Sequence, residues 1–399
     1  MKIKVGVIFG GETVEHEVSI ISAVQAMNNM DKEKYDIVPI YISKDRIWYT
    51  GKMLMDIDVF KNFDTLKRYA KKVALVKKED GFFLVSTNGL FNKVISELDI
   101  VLPIVHGKGA EDGSLAGYLD MVGIPYVGPK MLGASLGQDK VVMKQVMASC
   151  GLPIVDYTWF YDVEYLEDSS KIKKEIKNLV YPVIVKPANL GSSVGITVAK
   201  SEKEIDDAIN EAIKYDNKIV VEKMIPNLVE VNQAVLGNYE DAEVSAIAEM
   251  LTTNDFLTYE DKYIGNGKKT GGKKVSNGGK MSNSAMNIPA KLDKTTEKKI
   301  NELSLKTFRA LNLRGVARID YLIDKKAKKV YINEPNTIPG SLSFYMFKVL
   351  GKSYKELLDD LITLTIKEYK NEHKKTTSFE TNILSTYNGS KGMKGKMKI

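Results

Sequence analysis

The sequence predicts an α/β chain that opens on a doubly wound parallel sheet and continues through mixed α+β elements. Over the first 130 residues, apolar strand-like runs alternate with helically spaced ones, the pattern of parallel strands joined by crossover helices. Later apolar runs, near residues 218–250 and 317–333, follow one another without such crossovers and read as antiparallel. At 399 residues the chain exceeds one compact core and divides into two or three domains.

In order, residues 3–9 form a buried strand that ends at Gly10-Gly11, and a helical pattern runs from Val18 to Met30. Lys34 to Ile42 and Ile100 to Val105 supply two more strands, with Leu115 to Met121 helical, and the unit closes near Pro129. Between residues 45 and 98 short strands are expected around the charged turn Lys77-Lys78-Glu79-Asp80-Gly81. A helix follows from Asp139 to Ser149. Strands at Tyr181 to Lys186 and Ile196 to Ala199 are joined by a Gly/Ser turn, and Glu202 to Tyr215 is helical. Lys218 to Lys223, Val229 to Leu236 and Val244 to Met250 read as an antiparallel sheet. Helices at Lys294 to Leu311 and Tyr354 to Tyr369 flank a hairpin of Ala317 to Ile323 with Lys329 to Asn333. Domains are accordingly expected at 1–130, 131–216 and 217–372, the last with a mobile loop at 255–288, followed by an extension at 373–399.

The composition is that of an ordinary globular protein, 44% hydrophobic and 27% charged. No apolar run reaches the ~20 residues that span a bilayer, and the start lacks a signal peptide's features. The single cysteine, Cys150, excludes an intramolecular disulfide framework and fits a reducing cytoplasm; it reads as a small buried residue near a helix end. The net charge of +7 comes mostly from lysines interleaved with acids on helix faces. Without an aromatic-arginine platform, this speaks for solvated lysines and against a nucleic-acid partner. Lys262 to Lys280, with six lysines, six glycines and no acid, cannot bury a core; nor can the tail from Asn388, with four lysines.

Two constellations carry chemistry. The turn Lys186-Pro187-Ala188-Asn189-Leu190-Gly191-Ser192-Ser193-Val194-Gly195 sits between two strands, where small residues let successive backbone N–H groups approach phosphate oxygens and Lys186 adds a fixed charge. It is not a Walker loop, which leads into a helix. Alternation also puts Arg318 and Asp320 on one strand face, and Glu334 and Asn336 together at the end of the next. Asp, Glu and Asn at adjacent strand ends form an all-oxygen cluster of the kind Mg²⁺ prefers beside nucleotide phosphates. An exposed hairpin would explain one such carboxylate; the full set favours a site.

These motifs, with Val183-Ile184-Val185-Lys186-Pro187 and Asn333-Glu334-Pro335-Asn336-Thr337-Ile338-Pro339-Gly340, resemble the D-alanine–D-alanine ligase family within the ATP-grasp superfamily. Phe9-Gly10-Gly11 with Glu15-His16-Glu17-Val18-Ser19 is similar to that family's first loop and helix start. His106-Gly107-Lys108-Gly109-Ala110-Glu111-Asp112-Gly113 is similar to its second signature, with Ala110 where glycine is usual. Gly137-Gln138-Asp139-Lys140 and Tyr259-Glu260-Asp261-Lys262-Tyr263 extend the collinear match from about residue 3 to 340.

The resemblance implies a two-subdomain ATP-grasp fold after the N-terminal domain, and ATP-dependent joining of two D-alanine molecules through an acyl phosphate for peptidoglycan precursor synthesis. ATP would be bound by Lys140, Lys186, Ser192 and Ser193, with Glu222 and Lys223 at the adenine and Glu230 at the ribose. Asp320, Glu334 and Asn336 would hold two Mg²⁺ ions, Mn²⁺ being an alternative. Arg318 and backbone N–H groups near Gly340 would stabilise oxyanions. Glu15, at a helix N-terminus, would face the first substrate's ammonium and join Ser192 and Tyr263 in one hydrogen-bonded set. His106, Lys262 and Ser341 would face substrate. Simpler roles stay open: Glu15 as a helix cap, Tyr263 as packing, His106 as a core histidine, and His16 and His373 as surface residues. A cytoplasmic homodimer is implied.

The chain departs from the family in a longer, more basic loop from Lys262 to Pro289. It also departs at Ser341-Leu342-Ser343-Phe344-Tyr345, near the second substrate's carboxylate, and in an extension past Phe379. Tyr263 argues for D-alanine over D-lactate as acceptor. A related ligase with another acceptor, such as D-serine, and a nucleotide- or nucleic-acid-binding protein without turnover are the competing functions.

Overall fold

The computed structural model describes residues 2–88, 93–251 and 286–378. Its first sheet is built on β1 (Ile3–Gly10), which α1 (His16–Asn29) connects to β2 (Tyr35–Ile42) in parallel. The interior of β1 is buried on both faces, which is why it reads as an unbroken apolar run. β3 (Trp48–Thr50), α2 (Phe63–Tyr69), β4 (Lys71–Lys78), β5 (Gly81–Ser86), β6 (Val94–Leu98), β7 (Ile100–Ile104) and α3 (Ser114–Val122) follow. The order is β6-β5-β4-β3-β2-β1-β7. Among the named strands of this sheet, β1 pairs in parallel with β2 and β7, and a single parallel bridge joins Val101 to Tyr126; the other strand pairs are antiparallel, because links such as the two residues between β4 and β5 cannot carry a crossover. Gly10, at φ 95°, ends β1 where an added Cβ would lie 2.2 Å from the Ile42 carbonyl oxygen. Only glycine fits this turn, which sends the chain into α1.

Next come α4 (Met131–Gln138) and α5 (Lys140–Ser149), separated by Asp139, whose carboxylate accepts from the Val141 and Val142 N–H groups at 3.0 Å. This cap sets Lys140 at the first position of α5. β8 (Tyr157–Tyr161), α6 (Asp162–Glu167), α7 (Ser169–Lys177), β9 (Val183–Pro187), β10 (Thr197–Ala199), α8 (Ile205–Ile213) and β11 (Lys218–Lys223) make a second sheet in the order β10-β9-β11-β8. The third sheet is antiparallel, β14-β13-β12-β15-β16. It comprises β12 (Leu228–Gly237), β13 (Ala242–Met250), β14 (Met286–Asn287), β15 (Gly315–Asp324) and β16 (Lys329–Asn336), with α9 (Lys294–Ala310) against β12 and β13. The chain ends in α10 (Phe344–Lys348) and α11 (Tyr354–Glu372), the latter opened by a reciprocal capping box of Ser353 and Glu356.

The expected third-sheet hairpin extends three residues further than the sequence suggested, through Pro335 to Asn336. β16 is the edge strand, where a residue without an N–H is tolerated. Two readings are corrected. Cys150 is exposed, because it follows the last turn of α5. His16 is buried: Nδ1 lies 2.6 Å from the Gly11 carbonyl oxygen and Nε2 3.0 Å from the Tyr41 hydroxyl, so it braces the first loop. Burial holds its pKa below the usual histidine range.

One continuous core joins the first sheet to α11 through Leu357, Leu358, Leu361 and Ile362, and includes Val316 of β15. Arg314 fastens the same seam, donating to Glu368 and to the Tyr126 and Gly128 carbonyl oxygens, each at 2.7 Å. Arg314→Met leaves the Glu368 carboxylate buried without its cation. It should lower stability by about 3 kcal/mol in urea titration; a loss under about 1 kcal/mol would show the pair to be solvated.

Candidate functional site

A cleft of about 420 Å³ opens where the three sheets meet. Its walls come from the start of α1, the turn after β7, the α4–α5 junction, the Gly191-Ser192 turn, β12, the middle of β15, and the end of β16 with the segment beyond it.

The predicted oxygen cluster is assembled by register. Asp320 lies opposite Glu334, and Arg318 opposite Asn336. The Arg318 guanidinium grips Asp320 with two hydrogen bonds of 2.7 and 2.8 Å, and the Asn336 amide donates to the same carboxylate at 3.0 Å. Glu334 is 3.3 Å from the Lys140 Nζ, which also donates to the Leu190 carbonyl oxygen at 2.9 Å. The donor set is all oxygen and faces the cleft. Among the described residues no group of three acidic, histidine or cysteine side chains gathers tightly enough to hold a metal unaided. Two carboxylates and an amide that need further oxygens fit Mg²⁺ completed by substrate phosphates.

Glu15 occupies the N-cap position of α1, yet its side chain makes no capping hydrogen bond. It accepts instead from the Ser192 hydroxyl, 177 residues away, across the cleft. Ser192 and Ser193 hold left-handed φ of 55° and 60°, with Gly195 at 72°, so the Gly/Ser turn is tightly coiled at this point. Tyr263 and Lys262, the other members expected here, lie outside the described residues.

His106 is buried and lines the cleft. Nδ1 lies 2.7 Å from the Ile338 carbonyl oxygen, which can only accept, so Nδ1 carries the proton. Nε2 then accepts from the Ser22 hydroxyl at 3.2 Å, and Ser22 accepts from the Ser341 N–H at 3.1 Å. Burial keeps the ring neutral by lowering its pKa, against the pull of Glu15. Ser341 closes the chain of contacts by donating to the Gln25 side-chain oxygen at 2.7 Å. Ser341, Leu342 and Ser343 all sit near φ +50°, a strained run directly after Gly340.

Sequence reasoning missed Ser22, Gln25 and Glu111. Glu111 accepts from the N–H groups of Gly107 at 2.7 Å and Ile338 at 3.2 Å, tying the second signature to the segment after β16. Its acid character inside a glycine-flanked run was the available signal. Burial, then the nearby Glu15, push its pKa to about 7.

Of the predicted ATP residues, Lys140, Ser192 and Glu230 line the cleft; Lys186, Ser193, Glu222 and Lys223 do not. Lys186 on β9 donates to Glu222 on β11 at 2.8 Å, and both are buried. Burial opposes the charge on Lys186, but Glu222 and Glu334 outweigh it and raise its pKa. Burial likewise opposes the Glu222 charge; Lys144 and Lys186 win and hold it at about 2.

The family models "D-ala D-ala ligase N-terminus" and "D-ala D-ala ligase C-terminus" match residues 4–129 and 146–363. The chain belongs to the D-alanine–D-alanine ligase family. A D-alanine–D-alanine ligase from Thermosipho melanesiensis is 39% identical over 96% of this chain and 98% of its own. One from Clostridium acetobutylicum is 38% identical over 91% and 98%. Among solved structures, the D-alanine-D-alanine ligase from Coxiella burnetii matches with a TM-score of 0.78 at 26% identity, covering 94% of this chain and 96% of that one. The VanG D-Ala:D-Ser ligase from Enterococcus faecalis matches with 0.75 at 29%, covering 92% and 100%. The ATP-grasp fold expected from the sequence is therefore the fold of this D-alanine–D-alanine ligase family member, an ATP-dependent ligase. No helix among its described residues is long and apolar enough to cross a membrane.

Because the folded state raises the Glu111 pKa, the stability this group contributes is complete below the ordinary carboxylate range and is lost as pH rises through about 7. The melting temperature of the wild type minus that of Glu111→Gln should fall from about pH 5 to about pH 8. A difference that stays flat or grows over that range contradicts the assignment.

Proposed function

We propose that this ligase joins two D-alanine molecules for peptidoglycan precursor synthesis, and that the cleft is its active site. The observation that carries the reading is the contact of Glu15 with Ser192. It brings an anion at a helix N-terminus and the Gly/Ser turn together in a cleft that Arg318, Asp320, Glu334 and Asn336 also line. The proposed domains are 1–130, 131–216 and 217–372; β11 (Lys218–Lys223), a strand of the second sheet, falls just past the last of these boundaries.

A carboxylate is a poor acyl donor. One oxygen of the first amino acid therefore attacks the γ-phosphorus of ATP, expelling ADP and leaving an acyl phosphate. The amine of the second attacks the acyl carbon; the C–O bond to phosphate breaks, and the amine loses a proton. Glu15 faces the first ammonium. Arg318 and the N–H groups near Gly340 meet the oxyanion. Lys262 and Ser341 border the second substrate, His106 faces substrate, and Tyr263 closes the loop that keeps water from the acyl phosphate. Lys140, Lys186, Ser192, Ser193, Glu222, Lys223 and Glu230 hold ATP. Two Mg²⁺ ions, or Mn²⁺, held by Asp320, Glu334 and Asn336 would neutralise charge between the β- and γ-phosphates. The working state is a cytoplasmic homodimer.

A D-serine acceptor is the second reading. It is supported by the likeness to the D-Ala:D-Ser ligase and by the polar pair of Ser341 and Gln25 beside the cleft. Phosphate release is measured with ATP and Mg²⁺, first with D-alanine alone and then with each amino acid of a D and L panel paired with it. Release with D-alanine alone, yielding the dipeptide by mass spectrometry, supports the first reading; release only with a partner moves the acceptor and keeps the chemistry. Glu334→Gln should cut turnover by about a hundredfold or more with an unchanged melting temperature. Wild-type-like turnover in that variant removes the metal assignment.

A further inference from the structure

Lys144 lies one helical turn after Lys140 on α5 and is completely enclosed, with no exposed surface. It does not line the cleft. Its Nζ is 3.1 Å from one carboxylate oxygen of Glu222, as an ion pair rather than an aligned hydrogen bond, while Lys186 takes the other oxygen at 2.8 Å. The carboxylate is thus clamped between two ammonium groups. Burial lowers the Lys144 pKa from the ordinary lysine value; Glu222 opposes that shift and Lys186 adds to it, so the net direction is down.

Such an arrangement is expensive for a fold. Buried ion groups give up strong hydration, and apolar residues of similar volume usually replace them at little or no cost in stability. A single pair of Lys186 and Glu222 would also be neutral, cancelling the charge that Lys186 could offer a polyphosphate. The third group changes that sum: two ammoniums and one carboxylate leave one net positive charge.

We infer that Lys144 is a positioning residue for ATP, which neutralises Glu222 from behind so that the Lys186 ammonium keeps its charge and its direction toward the phosphates. The inference rests on the proposed role of Lys186 at ATP. Lys144 touches neither nucleotide nor substrate and acts through Glu222 alone. Its effect belongs to the phosphates, since the charge it preserves is the one Lys186 presents to them.

The test compares ATP with adenosine, which has the base and ribose but no phosphate, by calorimetric titration of the full chain in Mg²⁺ without amino acid. In Lys144→Met, ATP should bind about tenfold more weakly or worse, adenosine should stay within about twofold, and Lys144→Arg should restore ATP to within about threefold. In steady state the KM for ATP should rise in Lys144→Met while kcat moves less. Equal weakening of ATP and adenosine would mean that the residue merely supports the base pocket, and unchanged ATP affinity would mean that its charge is not felt; either overturns the inference. Should Lys144→Met not fold, Lys144→Gln carries the same test, since it keeps a donor against Glu222 but no charge. Failure of the wild type to form dipeptide would sink the ligation reading and leave this comparison intact.

Discussion

Carboxylates crowded at the meeting point of three sheets would repel one another, and the cleft is built around compensating them. Asp320 is gripped by Arg318, Glu334 is faced by Lys140, Glu222 is clamped by Lys144 and Lys186, and Glu15 accepts a hydrogen bond from the Ser192 hydroxyl. Glu111 is met by backbone N–H groups rather than by an ammonium, and it is pushed toward neutrality. The contrast between Glu111, at about 7, and Glu222, at about 2, follows from the charge of the neighbours, Glu15 for the one and Lys144 and Lys186 for the other, since desolvation pushes both upward.

The compensating partners come from several separate parts of the chain. Lys140 is fixed by the Asp139 cap at the start of α5, and Asp139 is itself paired with Lys218 at 2.7 Å. Arg318 is held by the β12–β15–β16 ladder. His106 and Glu111 reach across from the first sheet to Ile338. The seam that α11 and Arg314 make keeps those reaches short.

The sequence made this architecture legible where a period or a spacing carried it. Alternation was enough to put Arg318 with Asp320 and Glu334 with Asn336, because two-residue periodicity is a property of any strand. The contact of Glu15 with Ser192 spans 177 residues, and no local pattern encodes it; it was readable through family resemblance alone. Lys144 was invisible because a lysine on a short amphipathic helix looks like a solvated one until its neighbours are known. His16 and Cys150 were misread for the same reason: polarity suggested exposure and a thiol suggested burial, while their places in the fold decided otherwise. The strands β3 to β6 were indistinct because they are short or half-exposed, and alternate weakly.

The strained turn at Ser341–Ser343 bears on how the protein is made. Its anchors, Ser22 and Gln25, are translated 319 and 316 residues before the Ser341 that binds them. A nascent chain can pair β1 with β2 early, while this part of the cleft still has no wall. That wall forms only when nearly the whole polypeptide has left the ribosome, so a truncated product lacks the segment that would complete the cleft.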